Sequence, residues 1–280
     1  MRYLPLDGGY RLGLNVGDHR FVAPVTNGIC NEGPDAALLQ IYAKVLPDRT
    51  GTFLDIGANV GQTLLTVRAT NPQMVYVSCE PNVTCAAYRR SLTQLNGIDR
   101  ATVLPIAMVD QAGFLELQLF YDNETDSTAS LVVGVRPEQQ VARTQHVPSY
   151  SWMDIASVLK DDTVGFVEID LEGAELEVLR TIGPLLKAQR PWMLIEILPA
   201  YRVDYSDHLS RQTEIDTLLA CQGYTLLRVK KDNAGKTLRH LQQIEAIGVH
   251  DDIDDCDYLV VPETEVEQVV ACGLEVVAAT

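Results

Sequence analysis

Residues 51–65 read GTFLDIGANVGQTLL: an apolar stretch closing on Asp55, a small-residue turn Gly57-Ala58-Asn59-Val60-Gly61, then a helical pattern. A strand, a glycine turn and a helix in that order aim backbone N–H groups and the positive end of a helix dipole at one point, which makes an anion cradle. The dinucleotide form of this turn is G-x-G-x-x-G, whose middle glycine lets a pyrophosphate approach the backbone. Asn59 stands where that glycine would be, and the charge of Asp55 would oppose a pyrophosphate. A second acidic tip, Glu80 in Cys79-Glu80-Pro81, follows Gly61 at close to the interval where an acidic residue accepts hydrogen bonds from ribose hydroxyls. Two acidic anchors beside an N–H cradle suit an adenosine cofactor that carries a cation and no phosphate. S-adenosylmethionine has that chemistry, with its carboxylate on the loop N–H groups and its ammonium toward Asp55. A plainer reading of the same residues has Asp55 and Glu80 capping the helices that follow.

Further along, EIDLEGAELEVL carries Asp170, Glu172 and Glu175, and PWMLIEIL carries Glu196. Asp170 and Glu196 close two strand-like runs, and Glu172 and Glu175 have the i,i+3 spacing that shares one helix face. A methyl acceptor hydroxyl must lose a proton, so a carboxylate here would act as general base or orient the acceptor, with Asp170 and Glu196 as first candidates. Two other readings stay open. Asp170, Glu172 and Glu196 have the oxygen chemistry of a magnesium-type site, and Glu172 with Glu175 suits a helix N-terminus. His146 in TQHVPSYSW and Ser127 and Ser130 in DSTAS are weaker candidates, equally readable as surface and turn residues.

These residues need a scaffold that gathers strand ends. From residue 52 to about 198, apolar runs alternate with helical patterns: TFLDI, MVYVSC, TVLPIAMV, VGFVEI and PWMLIEIL as strands, with QTLLTVRAT, NVTCAAYRRSLTQLN, SWMDIASVL and GAELEVLRTIGPLLKA as helices. Such interleaving predicts an α/β, doubly wound, mostly parallel sheet with right-handed crossovers, whose site lies outside the carboxyl ends of the strands. GFLELQLFY alternates like an antiparallel strand and reads as a hairpin insertion. Beyond residue 199 the pattern gives a helix, the strand YTLLRV, a loose stretch and the strand CDYLVVP, enough to close the sheet antiparallel. DDIDDCD at 251–257 lacks the glycine and terminal glutamate of an EF-hand loop and reads as a solvated acidic turn. Residues 1–50 read as short strands and a helix starting near Glu32-Gly33-Pro34-Asp35, with Ala37, Leu38, Ile41, Tyr42 and Val45 at helical spacing.

The 280 residues are 46% hydrophobic, which allows a large core, and the formal charge is −16. That surface disfavours nucleic acid as a partner. None of the six cysteines is in C-x-x-C spacing, and Cys79 and Cys221 sit in apolar runs. They read as reduced thiols of a cytoplasmic protein. The N-terminus lacks signal-peptide character, and no apolar run reaches membrane-spanning length.

The succession DIGANVGQT, EPN, EIDLEGAELEVL and RPWMLIEI resembles the FkbM-type methyltransferases, a branch of the class I S-adenosylmethionine-dependent methyltransferases. The resemblance covers roughly residues 50–200. It implies a seven-stranded sheet with the last strand antiparallel, and O-methylation of a hydroxyl on a sugar, glycan or natural product. A nitrogen acceptor, or a cofactor-binding protein without turnover, are the alternatives. By the same resemblance Asp55, Gly57, Asn59 and Gly61 form the cofactor loop, and Glu80, with Pro81 after it, meets the ribose. Ala107 and Met108 wall the adenine, with Asp110 and Gly113 in the turn beyond. Asp154 matches an aspartate of a T-L-D element. Asp170, Glu172, Gly173 and Glu175 match a D-x-EGAE block, in which Asp170 borders the cofactor as well as the reacting groups. The family analogy makes the N-terminal region and the segment Phe120–Pro148 a substrate lid. One departure stands out: Glu168 occupies the place where the family usually has lysine.

Overall fold

The computed structural model describes residues 3–6, 9–24, 35–134, 138–159, 163–200, 206–232, 236–250 and 252–278. Cys30 and the expected helix start at 32–34 lie outside them. Strands β1 (Tyr3–Leu6), β2 (Gly9–Val16) and β3 (His19–Pro24) form an antiparallel meander, followed by helix α1 (Ala36–Val45). The alternating region contains β4 (Thr52–Ile56), α2 (Gln62–Thr70), β5 (Val75–Cys79), α3 (Val83–Leu95) and β6 (Ala101–Leu104). An insertion of β7 (Ala107–Met108), β8 (Gly113–Leu119) and β9 (Arg143–Tyr150) comes next, then α4 (Trp152–Ile155), β10 (Val164–Ile169), α5 (Glu175–Thr181), α6 (Gly183–Gln189) and β11 (Trp192–Glu196). The chain ends with α7 (Ser206–Cys221), β12 (Tyr224–Asp232), β13 (Thr237–Ile244), β14 (Asp257–Pro262), α8 (Val266–Ala271) and β15 (Val276–Val277).

The main sheet has nine strands in the order β15-β13-β12-β14-β11-β10-β4-β5-β6, not seven. Its centre is parallel, and β14 runs antiparallel to both β11 and β12. The two extra strands come from the stretch read as loose, where β13 pairs antiparallel with β12, and from the tail, where β15 pairs with β13. From β4 the chain winds outward to β5 and β6, then returns to build β10 and β11 on the other side. The winding therefore reverses between β4 and β10, which opens a crevice at their carboxyl ends.

Helices cover both faces. On one, α1, α2 and α8 pack on an aromatic row in which Phe53 stacks on Phe166 at 5.2 Å and on Tyr76 at 5.5 Å. On the other, α4 to α7 bury Leu54, Ile56, Val167 and Ile169. All five residues of β4 are buried, as expected of a strand covered on both sides. The N-terminal meander sits outside this sandwich, packing Val16, Phe21 and Ala23 on Leu65, Tyr88 and Leu92 of α2 and α3. It is pinned by Asn96, which exchanges hydrogen bonds with both backbone groups of Val22 at 2.7 and 2.8 Å.

The third expected strand breaks at Pro105: β6 ends at Leu104, and Ala107-Met108 crosses into the small sheet β7-β9-β8. The insertion is a β-structure as read, but the partner of β8 is β9, from the segment Phe120–Pro148. The helix expected over GAELEVLRTIGPLLKA is two, divided at Ile182 ahead of Pro184. Cys221 is exposed rather than buried in its apolar run, while Cys79 is buried as expected. None of the described helices is long and apolar enough to cross a membrane.

Candidate functional site

The turn after β4 requires its glycines. Gly57 and Gly61 have φ of 92° and 93°, in the left-handed region, and Asn59 joins them at 40°. A Cβ on Gly57 would overlap the carbonyl oxygen of Asp170 across the crevice, and the Asp170 N–H donates to Ile56 O at 3.0 Å. The glycine turn and the end of β10 are thus in backbone contact. No side chain caps the first turn of α2, whose N-cap is Gly61 itself. The donor set there suits an anionic group.

Glu80 clamps this turn from β5. Its two carboxylate oxygens accept the N–H of Asn59 and the N–H of Asn82, each at 2.7 Å. Burial raises its carboxyl to about 7, against the lowering effect of those two N–H bonds. Asn82, not Glu80, caps α3, accepting the Thr84 N–H at 3.0 Å. Pro81 is buried beside it. Ala107 and Met108 are fully buried, Ala107 against Leu117 and Val147 and Met108 in the core beneath α4.

Asp55 has a structural engagement. Strand alternation places it on the Phe53 face, where the Tyr76 hydroxyl donates to it and the Arg89 guanidinium stands 3.8 Å away. Arg89 is 0% exposed, and none of its three nitrogens has a hydrogen-bond partner among the described residues. It lies under the turn, close to where a Gly61 side chain would be. Glu168 is the in-register neighbour of Asp55 on β10 and accepts from the Thr63 hydroxyl at 3.2 Å. Burial, and then the charge of Asp55, push the Glu168 carboxyl well up. Burial likewise raises Asp55, opposed by Arg89 and by the Tyr76 hydrogen bond.

Beyond β10 and β11 the structure brings Asp170, Glu172 and Glu196 together, with one oxygen of each within 4.8 Å of the others. The loss of bulk water around Asp170 and then the Glu196 charge push its carboxyl well up, although its side chain opens onto the crevice. The Cys256 thiol donates to Glu196 at 3.2 Å. Glu172 and Glu175 do not share a helix face. Glu172 precedes the helix with φ of 54°, and its carbonyl accepts from the Ser130 hydroxyl. Glu175 opens α5 and folds back onto the Gly173 N–H at 2.8 Å. The capping reading therefore fits Glu175 and not Glu172.

Asp154 is the N3 residue of a capping box with Ser151. Asp110 lies 4.0 Å from Arg180, and His146 is exposed on β9 opposite Glu116. The described part of the expected acidic turn, 252–257, is only partly solvated. Asp255 is ion-paired with Lys230, and buried Asp257 lies 2.5 Å from Lys231, which also holds Asp35, the N-cap of α1, at 2.9 Å. Sequence reasoning missed Arg89, Tyr76 and Lys231. For Arg89 a signal existed, since it falls on the apolar stripe of α3 with Cys85 and Leu92.

The family model of the methyltransferase FkbM domain matches residues 55–226, from the glycine turn to the start of β12. The chain belongs to the FkbM methyltransferase family. No curated protein matches it. Among solved structures, the FkbM methyltransferase of Methylobacillus flagellatus KT is 16% identical with a TM-score of 0.46, covering 78% of this chain. This chain spans 47% of that protein's length. The M. jannaschii TYW2 complex with AdoMet is 10% identical with a TM-score of 0.44, over 92% of this chain and 86% of that one. A precorrin-6y C5,15-methyltransferase from Geobacter metallireducens GS-15 is 12% identical with a TM-score of 0.39, over 79% and 84%. The FkbM domain thus contains every strand end that the sequence reading assigned to the site.

Proposed function

We propose that this FkbM-family chain is an S-adenosylmethionine-dependent methyltransferase, O-directed, acting on a hydroxyl of a sugar, glycan or natural product. The observation that carries the reading is the backbone contact between Gly57 and Asp170, because it sets an anion-accepting turn directly against a carboxylate cluster at the switch point. When bound, S-adenosylmethionine supplies an electrophilic methyl on a sulfonium. The N–H groups at the head of α2 hold its carboxylate, and Glu80, already oriented by Asn59 and Asn82, accepts from the ribose hydroxyls. Pro81, Ala107 and Met108 complete the adenine side. Asp55 acts from behind, fixing Tyr76 and Arg89 under the turn.

Asp170, Glu172 and Glu196 face the acceptor. A carboxyl raised by its surroundings is a better base, so the Asp170–Glu196 pair takes the hydroxyl proton. An acidic crevice also favours a cationic donor electrostatically. The segment from Phe120 onward would serve as a lid on the acceptor, tied to Glu172 through Ser130. Titration calorimetry with S-adenosylhomocysteine, with NADH as control, tests the cofactor assignment; binding of NADH alone would sink it. Methyl transfer from labelled cofactor to a hydroxyl-bearing acceptor, unaffected by EDTA, tests the chemistry. Loss of transfer on chelation with recovery on added magnesium would instead assign the carboxylate trio to a metal.

A further inference from the structure

We propose that the acceptor is held in a cleft between the insertion, the head of α5 and α7, and that this cleft selects a hydroxyl-rich neutral or cationic acceptor over a phosphorylated or carboxylated one. The proposal rests on the methyltransferase reading above. The cleft has a volume of about 100 Å³, small enough to hold one compact ring or chain end. Two of its walls begin at the carboxylate trio: Gly173 directly follows Glu172, and Ile197 directly follows Glu196. The three carboxylates are not themselves in the lining; the cleft adjoins them along the chain, one residue beyond Glu172 and Glu196. A larger cleft of about 730 Å³, near Tyr88 and Arg143, lies against the outer face of α3 and is lined by no residue next to the trio in the chain.

The polar lining has a definite sense. Gln212 is 4% exposed and donates to Leu198 O at 3.1 Å, while its Oε1 has no partner among the described residues. An acceptor atom left unmatched in a cleft wall calls for a hydrogen-bond donor, and a hydroxyl or ammonium provides one. Asp207 adds exposed negative charge to the same lining, while Glu175 is committed to the Gly173 N–H. Arg211 lies beside them, but its guanidinium is committed, holding Glu177 at 2.5 and 2.9 Å and Gly173 O at 2.8 Å. His208 at the rim has an interaction of its own. A phosphate or carboxylate entering here would meet the Asp207 carboxylate and a cation already engaged. The apolar share, from Val132, Ile197, Leu198 and Ile215, suits the carbon face of a ring.

The experiment is ligand-observed saturation-transfer NMR on the full chain with S-adenosylhomocysteine present. It uses one hexose series that varies only in charge: methyl glucoside, glucosamine, glucose 6-phosphate and glucuronate. The neutral and amino members should bind, and the two anionic ones at least about tenfold more weakly. Gln212→Leu should weaken methyl glucoside about tenfold, for one lost hydrogen bond in a buried setting, with S-adenosylhomocysteine affinity within about twofold of the parent. Asp207→Lys, at an exposed position, should raise glucose 6-phosphate relative to glucosamine, and added salt should shrink that change. Equal binding of anionic and neutral members, no binding by any member, or an unchanged ranking in both variants overturns the proposal. A protein that keeps the predicted ranking yet never binds S-adenosylhomocysteine overturns the methyltransferase reading instead, and with it the assignment of the cleft to a methyl acceptor.

Discussion

Gly57→Ala tests whether the cofactor turn and the acid cluster are one mechanical unit. Two costs apply at that position. A side chain at φ of 92° carries the left-handed penalty, about 1–2 kcal/mol. Its Cβ also overlaps the Asp170 carbonyl oxygen, a backbone atom that cannot rotate away, and overpacking of that kind costs about 1–3 kcal/mol. Stiffening the unfolded chain returns about 0.4–1 kcal/mol, so the net destabilisation is about 1–4.6 kcal/mol. The control is Gly97→Ala: Gly97 has φ of 59°, also left-handed, but nothing lies within 4 Å of its added Cβ. It carries the first cost without the second and should lose at most about 1.6 kcal/mol. Chemical denaturation of both variants measures the difference, and about 3 °C of midpoint per kcal/mol is expected in thermal melts of a chain this large. Because the overlap pushes directly on Asp170, Gly57→Ala should also weaken S-adenosylhomocysteine binding and depress turnover, whereas Gly97→Ala should leave both intact. Equal destabilisation by the two substitutions, or a Gly57→Ala protein with normal binding, would show that the turn and β10 move independently.

Arg89→Met should cost about 3–5 kcal/mol, since it leaves the Asp55 carboxylate buried without its cation, and Asp55→Asn in the same chain should recover part of that loss in a denaturation double-mutant cycle. Glu80 carries a carboxyl raised from 4.5 to about 7, so the folded state holds its proton more tightly than the unfolded one; its contribution to stability is complete below pH 4.5 and is lost as pH rises through about 7. Glu80→Gln should flatten the decline in the unfolding midpoint between pH 5 and 8, while S-adenosylhomocysteine affinity of the parent should rise over the same interval as the acceptor ionises. Glu196→Gln should lower kcat by about 10²–10⁴ with cofactor affinity unchanged, and Asp170→Asn should lower kcat and weaken the cofactor together. Single-turnover kinetics alongside calorimetry separates these two.

The parts of the fold that could be read in advance are those where one residue type answers one physical demand. Gly57 and Gly61 sit at angles that other residues resist, and β4, β10 and β11 are buried on both faces, so their apolar runs are continuous. β9 was hidden because it places Pro148 inside a strand. The position is tolerated because β7 pairs with β9 only at Ser149 and Tyr150, leaving Pro148 on a locally open edge. β13 was hidden because its pairing with β12 shifts register between Lys230 and Lys231, which breaks the alternation that marks a strand. The acidic run at 251–257 looked solvated because Lys230 and Lys231, which neutralise it, come from another strand.

The placement of Asp55 follows from strand period alone. Phe53 and Asp55 are two residues apart, so both point to the aromatic face, and the next strand on one side supplies Tyr76 and on the other Glu168. This gives a physical account of the departure at position 168. A lysine there would lie in register beside Asp55 and neutralise it locally. Glu168 instead doubles the negative charge, and two measures offset it: burial, with the Asp55 charge beside it, holds the Glu168 carboxyl well above its usual range, and α3 brings in Arg89 from beneath the turn. The cation beside Asp55 comes from α3, a helix that starts directly after Glu80 and Asn82. Any shift of α3 then moves the Asn82 N–H that Glu80 accepts and the Asp55 counter-charge together, so the proposed ribose contact at Glu80 and order at Asp55 would be coupled through one element.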